Sequence, residues 1–136
     1  MNDMHRGITL FLLALATLAL GGCANQGATQ HGTDYLKIYN HHDRQIYAAT
    51  GRRSKTIVAH IPQTYNNISK KKIPQDAKPS YRYVMHHAKH DVKITMQVYS
   101  NYHYAKLSGV PVIGGGVVKL TPQNYQKLNH PRNFID

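Results

Sequence analysis

The segment spanning residues 92–98 alternates apolar and polar side chains more regularly than any other part of the chain. Val92, Ile94, Met96 and Val98 fall on one side, and lysine, threonine and glutamine occupy the positions between them. Successive side chains of a β-strand point to opposite faces of its sheet, so this period of two predicts an antiparallel strand with one buried face. A fold built around such a strand must cover one face of the sheet and can leave the other in water.

Weaker patterns of the same kind predict further strands before this segment. Runs of β-branched and aromatic residues, separated by polar or glycine-containing turns, are the basis of these predictions. They cover residues 35–39, 45–49, 56–61 and 81–85, with turns at residues 40–43 and 51–55. Residues 66–80 contain three consecutive lysines and two prolines, and we expect them to be the least structured stretch of the domain.

The C-terminal part of the chain predicts a hairpin followed by a short helix. Two valine-rich runs, residues 110–113 and 117–120, enclose three consecutive glycines at 114–116. Glycine readily adopts the positive φ angles of tight hairpin turns, so these glycines are predicted to form the turn. Thr121 and Pro122 suit the N-cap and the first position of a helix that follows.

Together these patterns predict an α+β fold that is mostly antiparallel β, with one small domain at residues 34–136 and one or two short helices. A shift of 60 residues also aligns similar segments, which raises the hypothesis of a duplicated strand–hairpin–helix unit. The aligned pairs are residues 36–40 with 96–100, 57–58 with 117–118, and 62–68 with 122–128. Chance combined with shared turn chemistry is the alternative interpretation.

The N-terminal segment has the character of a targeting sequence. An apolar run from Ile8 to Leu20 follows Arg6 and leads into Gly21, Gly22 and Cys23. The run is too short to span a bilayer core of about 30 Å, which needs about 20 residues. Its length and its flanks indicate a secretory signal peptide. The sequence Leu-Gly-Gly-Cys resembles the lipobox of bacterial lipoproteins, and the resemblance is confined to residues 1–25.

The resemblance implies cleavage before Cys23, which removes residues 1–22, and attachment of diacylglycerol to the Cys23 sulfur. Residues 23–33 then form a lipidated cysteine and a flexible polar tether. Ala24, rather than aspartate, follows the cysteine, which in a Gram-negative cell implies export to the outer membrane. An ordinary signal peptide with an incidental cysteine is the alternative. With the lipid anchor, the predicted location is the cell envelope.

The charge balance favours anionic partners. The net charge is +11 and the chain contains no glutamate. Such basicity favours phosphates and acidic glycans of the envelope, such as lipopolysaccharide or peptidoglycan, whereas the compartment disfavours nucleic acid. Plain solubility is the alternative explanation. The candidate anion-binding residues are Arg52, Arg53, Lys55, Lys70, Lys71, Lys72, Arg82 and Lys89.

Histidine is the one residue type that suggests a metal. His86, His87 and His90 precede Asp91 at a predicted hairpin end, where three imidazoles could converge on Zn²⁺ or Cu²⁺. Lys89 lies among them and would repel a cation. Solvated turn histidines are the preferred interpretation, so no cofactor is expected.

Catalysis is disfavoured, because the domain has few carboxylates and no serine in a nucleophile elbow. The sequence therefore predicts a non-enzymatic, membrane-anchored binding or scaffolding module for anionic envelope components. One alternative is a subunit of an envelope assembly that docks a protein through strand addition or its tyrosines. The other is a histidine-rich metal-binding lipoprotein.

Overall fold

The computed structural model describes residues 32–62 and 68–136. The predicted signal peptide, Cys23 and the predicted tether as far as residue 31 lie outside the described residues. The same is true of residues 63–67.

An antiparallel sheet of six strands forms the body of the domain, in the order β2-β1-β3-β4-β5-β6. All neighbouring strands are antiparallel. The strands are β1 (Tyr35–Tyr39), β2 (Gln45–Thr50), β3 (Pro79–His87), β4 (Val92–Tyr99), β5 (Tyr104–Val110) and β6 (Gly114–Lys119). The predicted single, mostly antiparallel α+β domain is therefore confirmed.

The helices are short. They are α1 (Gly51–Val58), α2 (Pro122–Leu128) and α3 (Arg132–Ile135), and a single 3-10 turn (Ala88–His90) joins β3 to β4. The described residues therefore contain three short α-helices, whereas the sequence predicts one or two. None of the helices in the described part of the chain is long and apolar enough to cross a membrane.

One face of the sheet and the helices enclose the core. Ile94, Met96 and Val98 are buried, which confirms the alternation predicted for β4. Tyr83 on β3 lies in register with Met96 and is fully buried. The helices contribute buried residues to the same cluster, among them Leu128 of α2. The opposite face of the sheet is not covered by these helices, as the alternation leads one to expect.

The strand predicted at residues 56–61 is wrong, because helix α1 occupies Gly51–Val58. Gly51 has a φ of 61°, which lets the chain turn directly from β2 into the helix. Ser54, Ile57 and Val58 are buried at the spacing of one helix face. Tertiary burial of that face therefore outweighs the β propensity of Thr56, Ile57 and Val58.

A hairpin is present in this part of the chain, but it is not the predicted one, because its first strand is β5 (Tyr104–Val110) and not residues 110–113, and its turn is not made by the three glycines. The turn lies at residues 111–113, and Gly115 and Gly116 lie within β6. A Cβ atom on Gly115 would lie 2.6 Å from the Leu107 carbonyl oxygen, and one on Gly116 would lie 2.7 Å from that of Ser69. Close approach of neighbouring backbone, rather than turn geometry, therefore requires glycine at these two positions.

The predicted helix start at Thr121 is confirmed. The Thr121 hydroxyl accepts a hydrogen bond from the Asn124 backbone N–H at 3.1 Å, and Pro122 occupies the first turn. The N-cap therefore satisfies one of the backbone donors that every helix start leaves free.

The duplication stays a prediction. Residues 36–39 and 96–99 both lie in strands, β1 and β4. Residues 57–58, however, are helical, whereas the aligned residues 117–118 lie in β6. The third aligned pair falls largely on residues 63–67, outside the described part of the chain.

Candidate anion-binding face

The face of the sheet opposite the helices, called here the open face, carries the side chains that alternate with the core residues. Two cross-strand rows illustrate it. Lys37, Val84, Thr95 and Ser108 are paired in succession across β1, β3, β4 and β5, and so are Tyr39, Arg82, Gln97 and Lys106. Because strand side chains alternate, each of these residues points away from the core cluster that contains Leu36 and Ile38, although Val84 is itself buried.

The charge of the open face is entirely positive along its strands. No strand of the sheet contains aspartate, and the aspartates at positions 34, 43, 76, 91 and 136 lie before, between or after the strands. The basic residues that the alternation places on the open face are Lys37, Arg82, Lys93, Lys106 and Lys119. This face therefore presents a positive field that is little neutralised by the sheet itself.

Tyrosine rings lie beside several of these cations. The Arg82 guanidinium carbon lies 4.4 Å from the centroid of the Tyr39 ring. The Lys37 ammonium lies 5.0 Å from the centroid of Tyr35. Such cation–π contacts hold the cation over the ring and contribute about 0.5–1 kcal/mol at exposed sites. Arg82 also forms an ion pair with Asp43 of the β1–β2 turn, so Arg82 is the most neutralised cation of the open face.

The lysine-rich segment lies against the β5–β6 part of the open face. Ser69 forms an isolated antiparallel bridge with Val117 at the outer edge of β6. The Lys70 ammonium donates a hydrogen bond to the Gly115 carbonyl at 2.9 Å. The Lys71 ammonium lies 4.5 Å from the centroid of Tyr104. Its hydrogen bond with the Tyr102 hydroxyl raises the pKa of Lys71, so Lys71 is charged at neutral pH.

A groove of 690 Å³ separates this segment from the hairpin. It is called here the lysine groove, and its lining includes Lys70, Lys71, Lys72, Lys106, Ser108 and the backbone of Gly114–Gly116. None of the described residues that line it carries a carboxylate. A second cavity, of 530 Å³, is lined by one lysine, Lys78, together with histidines and uncharged residues. The lysine groove is therefore the stronger candidate for an anion.

The residues predicted from the sequence to bind anions lie on several different elements. Lys70, Lys71 and Lys72 line the lysine groove, and Arg82 lies on the open face. Arg52, Arg53 and Lys55 lie on α1 instead, and Lys89 lies in the β3–β4 turn. The binding role of these residues stays a prediction.

Two of the α1 cations already have partners within the domain. The Arg53 guanidinium donates to the Tyr47 hydroxyl at 2.9 Å and to the Ile135 carbonyl at 3.4 Å. The Lys55 ammonium lies 3.2 Å from an Asp34 carboxylate oxygen. These contacts connect α1 to β2, to the C-terminus and to the start of β1, so Arg53 and Lys55 have structural roles.

No family is identified for this chain. Comparisons with protein-family models, with curated proteins and with solved structures find no match. What can be said of function therefore rests on the chemistry of the lysine groove and the open face.

Lys106 is the groove residue that the sequence patterns missed. The sequence patterns predict no strand at residues 104–109, where Ser108 and Gly109 interrupt the apolar and polar alternation. Lys37 and Lys93 were recognisable as outward-facing positions of predicted strands, and that signal could have placed them on the open face. Nothing local indicates that residues 70–72 lie beside Lys106.

The three histidines at the β3–β4 hairpin end do not converge. His86 lies on the open face, His87 next to it alternates to the other face, and His90 is exposed in the turn. The His86 Nδ1–H donates to the Thr33 carbonyl at 2.8 Å, and Nε2 lies 3.1 Å from an Asp91 oxygen. Both ring nitrogens are therefore occupied.

Within residues 32–62 and 68–136, no group of three or more histidine, cysteine or acidic side chains could hold a metal ion. The convergence considered for His86, His87 and His90 is therefore not formed. The carbonyl of Thr33, followed by the carboxylate of Asp91, raises the pKa of His86, since both acceptors stabilise the protonated ring.

Proposed function

We propose that this protein is a membrane-anchored envelope lipoprotein, acylated at Cys23, whose lysine groove and open face bind anionic envelope components without catalysis. Lipopolysaccharide and peptidoglycan are the two ligand classes considered. In a Gram-negative cell the location is the outer membrane. One observation carries the binding proposal: four lysines line a single groove, and no described residue of its lining has a carboxylate.

The groove residues have the chemistry needed for a phosphorylated or acidic glycan. Lysine ammonium groups are compact, mobile point charges that bind phosphate and carboxylate oxygens without strict geometry. Tyr102 and Tyr104 stack on each other with centroids 5.0 Å apart, and Tyr104 lies directly beside Lys71. A tyrosine ring offers a flat amphipathic surface suited to a sugar ring. The lysine charges then provide affinity, and the tyrosine rings provide a surface complementary in shape to the sugar.

A binding role fits the groove better than a catalytic role. The described residues of its lining include no carboxylate, imidazole or thiol, and among them Ser108 has the one hydroxyl side chain. General acid–base catalysis requires a positioned group whose pKa lies near the working pH. The raised pKa of Lys71 keeps its ammonium group protonated near neutral pH, so Lys71 supplies charge rather than proton transfer.

The test compares two double variants that remove the same charge. Lys71→Ala with Lys106→Ala alters the groove, whereas Arg52→Ala with Lys127→Ala removes two exposed cations from α1 and α2. Each lysine near an anionic surface contributes about 1 kcal/mol, so the groove variant is expected to bind lipopolysaccharide or peptidoglycan fragments about 30-fold more weakly. Affinity is measured with the mature acylated protein in detergent, at low and at high salt.

The control decides whether the groove or the total charge matters. We expect the Arg52 and Lys127 variant to retain most of its affinity. Equal losses in the two variants would mean that binding is a property of net charge. Failure of the unaltered protein to bind either ligand at low salt would refute the proposed function.

A second candidate function is a docking subunit of an envelope assembly, and β2 is the observation that favours it. β2 is the last strand on its side of the sheet, pairs only with β1 among the described strands, and exposes Ile46. Such an edge offers backbone groups for strand addition. A protein retained in fixed ratio at high salt, and lost on Ile46→Lys, would support this function over anion binding.

A further inference from the structure

Three features of the chain meet at one end of the sheet, called here the anchor end. They are the start of β1, the β3–β4 turn at residues 88–91 and the β5–β6 turn at residues 111–113. Antiparallel pairing aligns Tyr35 with His86 and His86 with Lys93. A Cβ atom on Gly109 would lie 2.0 Å from the Lys93 carbonyl oxygen, so the β5 backbone at Gly109 lies beside Lys93 at this end of the sheet. The β5–β6 turn follows directly beyond it.

The start of β1 is held firmly at the anchor end. His86 donates to the Thr33 carbonyl, as described above. An Asp34 carboxylate oxygen accepts a hydrogen bond from the Ala88 backbone N–H at 2.6 Å, and its other oxygen pairs with Lys55. The chain that comes from Cys23 therefore joins the domain at a defined place beside the β3–β4 turn.

The β5–β6 turn exposes an apolar tip. The relative exposure of Val112 is 107%, and that of Ile113 is 48%. Val112 also has a φ of 70°, in the left-handed region that glycine or asparagine normally occupies. A β-branched residue in this conformation strains the backbone, and Val112 gains no burial within the domain in return. Strain without internal benefit indicates a role for this apolar side chain outside the domain.

The charges around the tip are positive. Lys89 in the β3–β4 turn and Lys93 at the start of β4 are both exposed. Both carboxylates at this end have basic partners, since Asp34 pairs with Lys55 and an Asp91 oxygen lies 3.1 Å from the His86 Nε2. An anionic surface that approaches the anchor end therefore meets cations around an apolar tip. This combination is typical of segments that bind the interface of an anionic bilayer.

We propose that the tip at residues 111–113 inserts into the interface of the anionic bilayer that holds the Cys23 lipid, with Lys89 and Lys93 at the headgroups. The inference rests on the proposed acylation of Cys23. Adjacent strands lie about 4.8 Å apart, so the tip lies about 15–20 Å from β1 across the sheet. The chain between Cys23 and Gly32 can span about 30 Å, which is long enough for lipid and tip to occupy one leaflet.

The experiment uses the mature acylated protein with one new cysteine. Cys23 is the only natural cysteine, so an acylated chain has no thiol and Val112→Cys supplies a unique site for an environment-sensitive fluorophore. The control is His42→Cys, an exposed position in the β1–β2 turn at the opposite end of the sheet. Both labelled proteins are reconstituted in vesicles of phosphatidylethanolamine and phosphatidylglycerol that contain a nitroxide lipid.

We expect the label at position 112 to shift to the blue and to be quenched by the nitroxide, because interfacial segments lie about 5–10 Å deep. The label at position 42 should remain water-like and unquenched. Identical behaviour at the two positions would refute tip insertion. A label at 112 that is shielded from water but not quenched would also refute it, because a protein would then cover the tip.

Two controls separate this inference from the proposed function. The protein without an introduced cysteine should take up no label; labelling would show a free Cys23 thiol and refute the acylation itself. Ile113→Cys reports on the same tip and serves if Val112→Cys folds poorly. An acylated protein whose labels at 112 and 113 both remain in water refutes tip insertion alone, and leaves binding by the lysine groove standing.

Discussion

Replacement of Tyr83 by phenylalanine should destabilise the domain through one hydrogen bond. Tyr83 is fully buried, and its hydroxyl donates to the carbonyl of Leu128, the last residue of α2, at 2.6 Å. Burial raises the pKa of Tyr83, so this hydroxyl stays protonated and remains a donor. Phenylalanine has nearly the same shape, so the substitution creates little cavity and leaves the Leu128 carbonyl without this donor.

The magnitude follows from two contributions. The net value of a hydrogen bond is about 0.5–1.5 kcal/mol, and an unsatisfied buried acceptor costs about 1–3 kcal/mol. These ranges describe overlapping parts of one effect, so we expect the free energy of unfolding to fall by about 2 kcal/mol. For a domain of this size the Tm should fall by about 10 °C. Urea unfolding followed by circular dichroism gives the free energy, with an unchanged m value.

Tyr39→Phe is the matched control. Tyr39 lies on the open face and is only half-buried, so its substitution should change the free energy of unfolding by less than about 0.5 kcal/mol. If Tyr83→Phe and Tyr39→Phe are equally stable, the bond to Leu128 contributes nothing and the reasoning fails. A loss confined to Tyr83→Phe shows that this bond holds α2 against the sheet.

Two further predictions concern the anchor end. Gly109→Ala should lower the free energy of unfolding by well over the about 1–2 kcal/mol typical of a left-handed residue, because its Cβ would lie 2.0 Å from the Lys93 carbonyl oxygen. Gly114→Ala is the control, since its Cβ would meet no atom within 4 Å. Equal urea midpoints for the two variants would contradict this prediction. The hydrogen bond to the Thr33 carbonyl is the first cause of the raised pKa of His86. Protonated His86 therefore stabilises the fold, fully at pH values below the pKa that His86 has in the unfolded chain, and this contribution is lost as pH rises through its pKa in the folded protein. As pH rises above 6.5, the ordinary pKa of histidine, the free energy of unfolding should therefore fall more steeply in the natural protein than in His86→Gln, and parallel profiles would count against this reasoning.

The sequence predicted those parts of the fold whose pattern is local. The alternation at residues 92–98 correctly separated buried from outward-facing residues of β4, because that pattern follows from strand geometry alone. The Thr121 cap was predicted for the same reason, since a helix start needs a side-chain acceptor within three residues. Helix α1 was mistaken for a strand, because burial of Ile57 and Val58 against distant strands overrides β propensity.

The candidate site was predictable only in part. Lys70, Lys71 and Lys72 were recognised from their consecutive positions, although nothing local distinguishes a groove lining from a solvated loop. Lys106 was missed. Arg53 was predicted to bind anions, and in the structure its guanidinium donates hydrogen bonds to Tyr47 and Ile135. Predicting these roles requires knowing which strand lies next to which.

The sequence by itself determined the basic, glutamate-free composition, the lipobox-like start and the alternation that sets the two faces of β4. Only the tertiary structure decided which lysines share a groove and that the start of β1 and the β5–β6 tip lie at one end of the sheet. Strand order and the packing of residues 69–72 on β6 depend on pairings between residues distant in the chain. Local patterns record whether a side chain is buried, but not which distant strand buries it, so these arrangements follow from the whole fold.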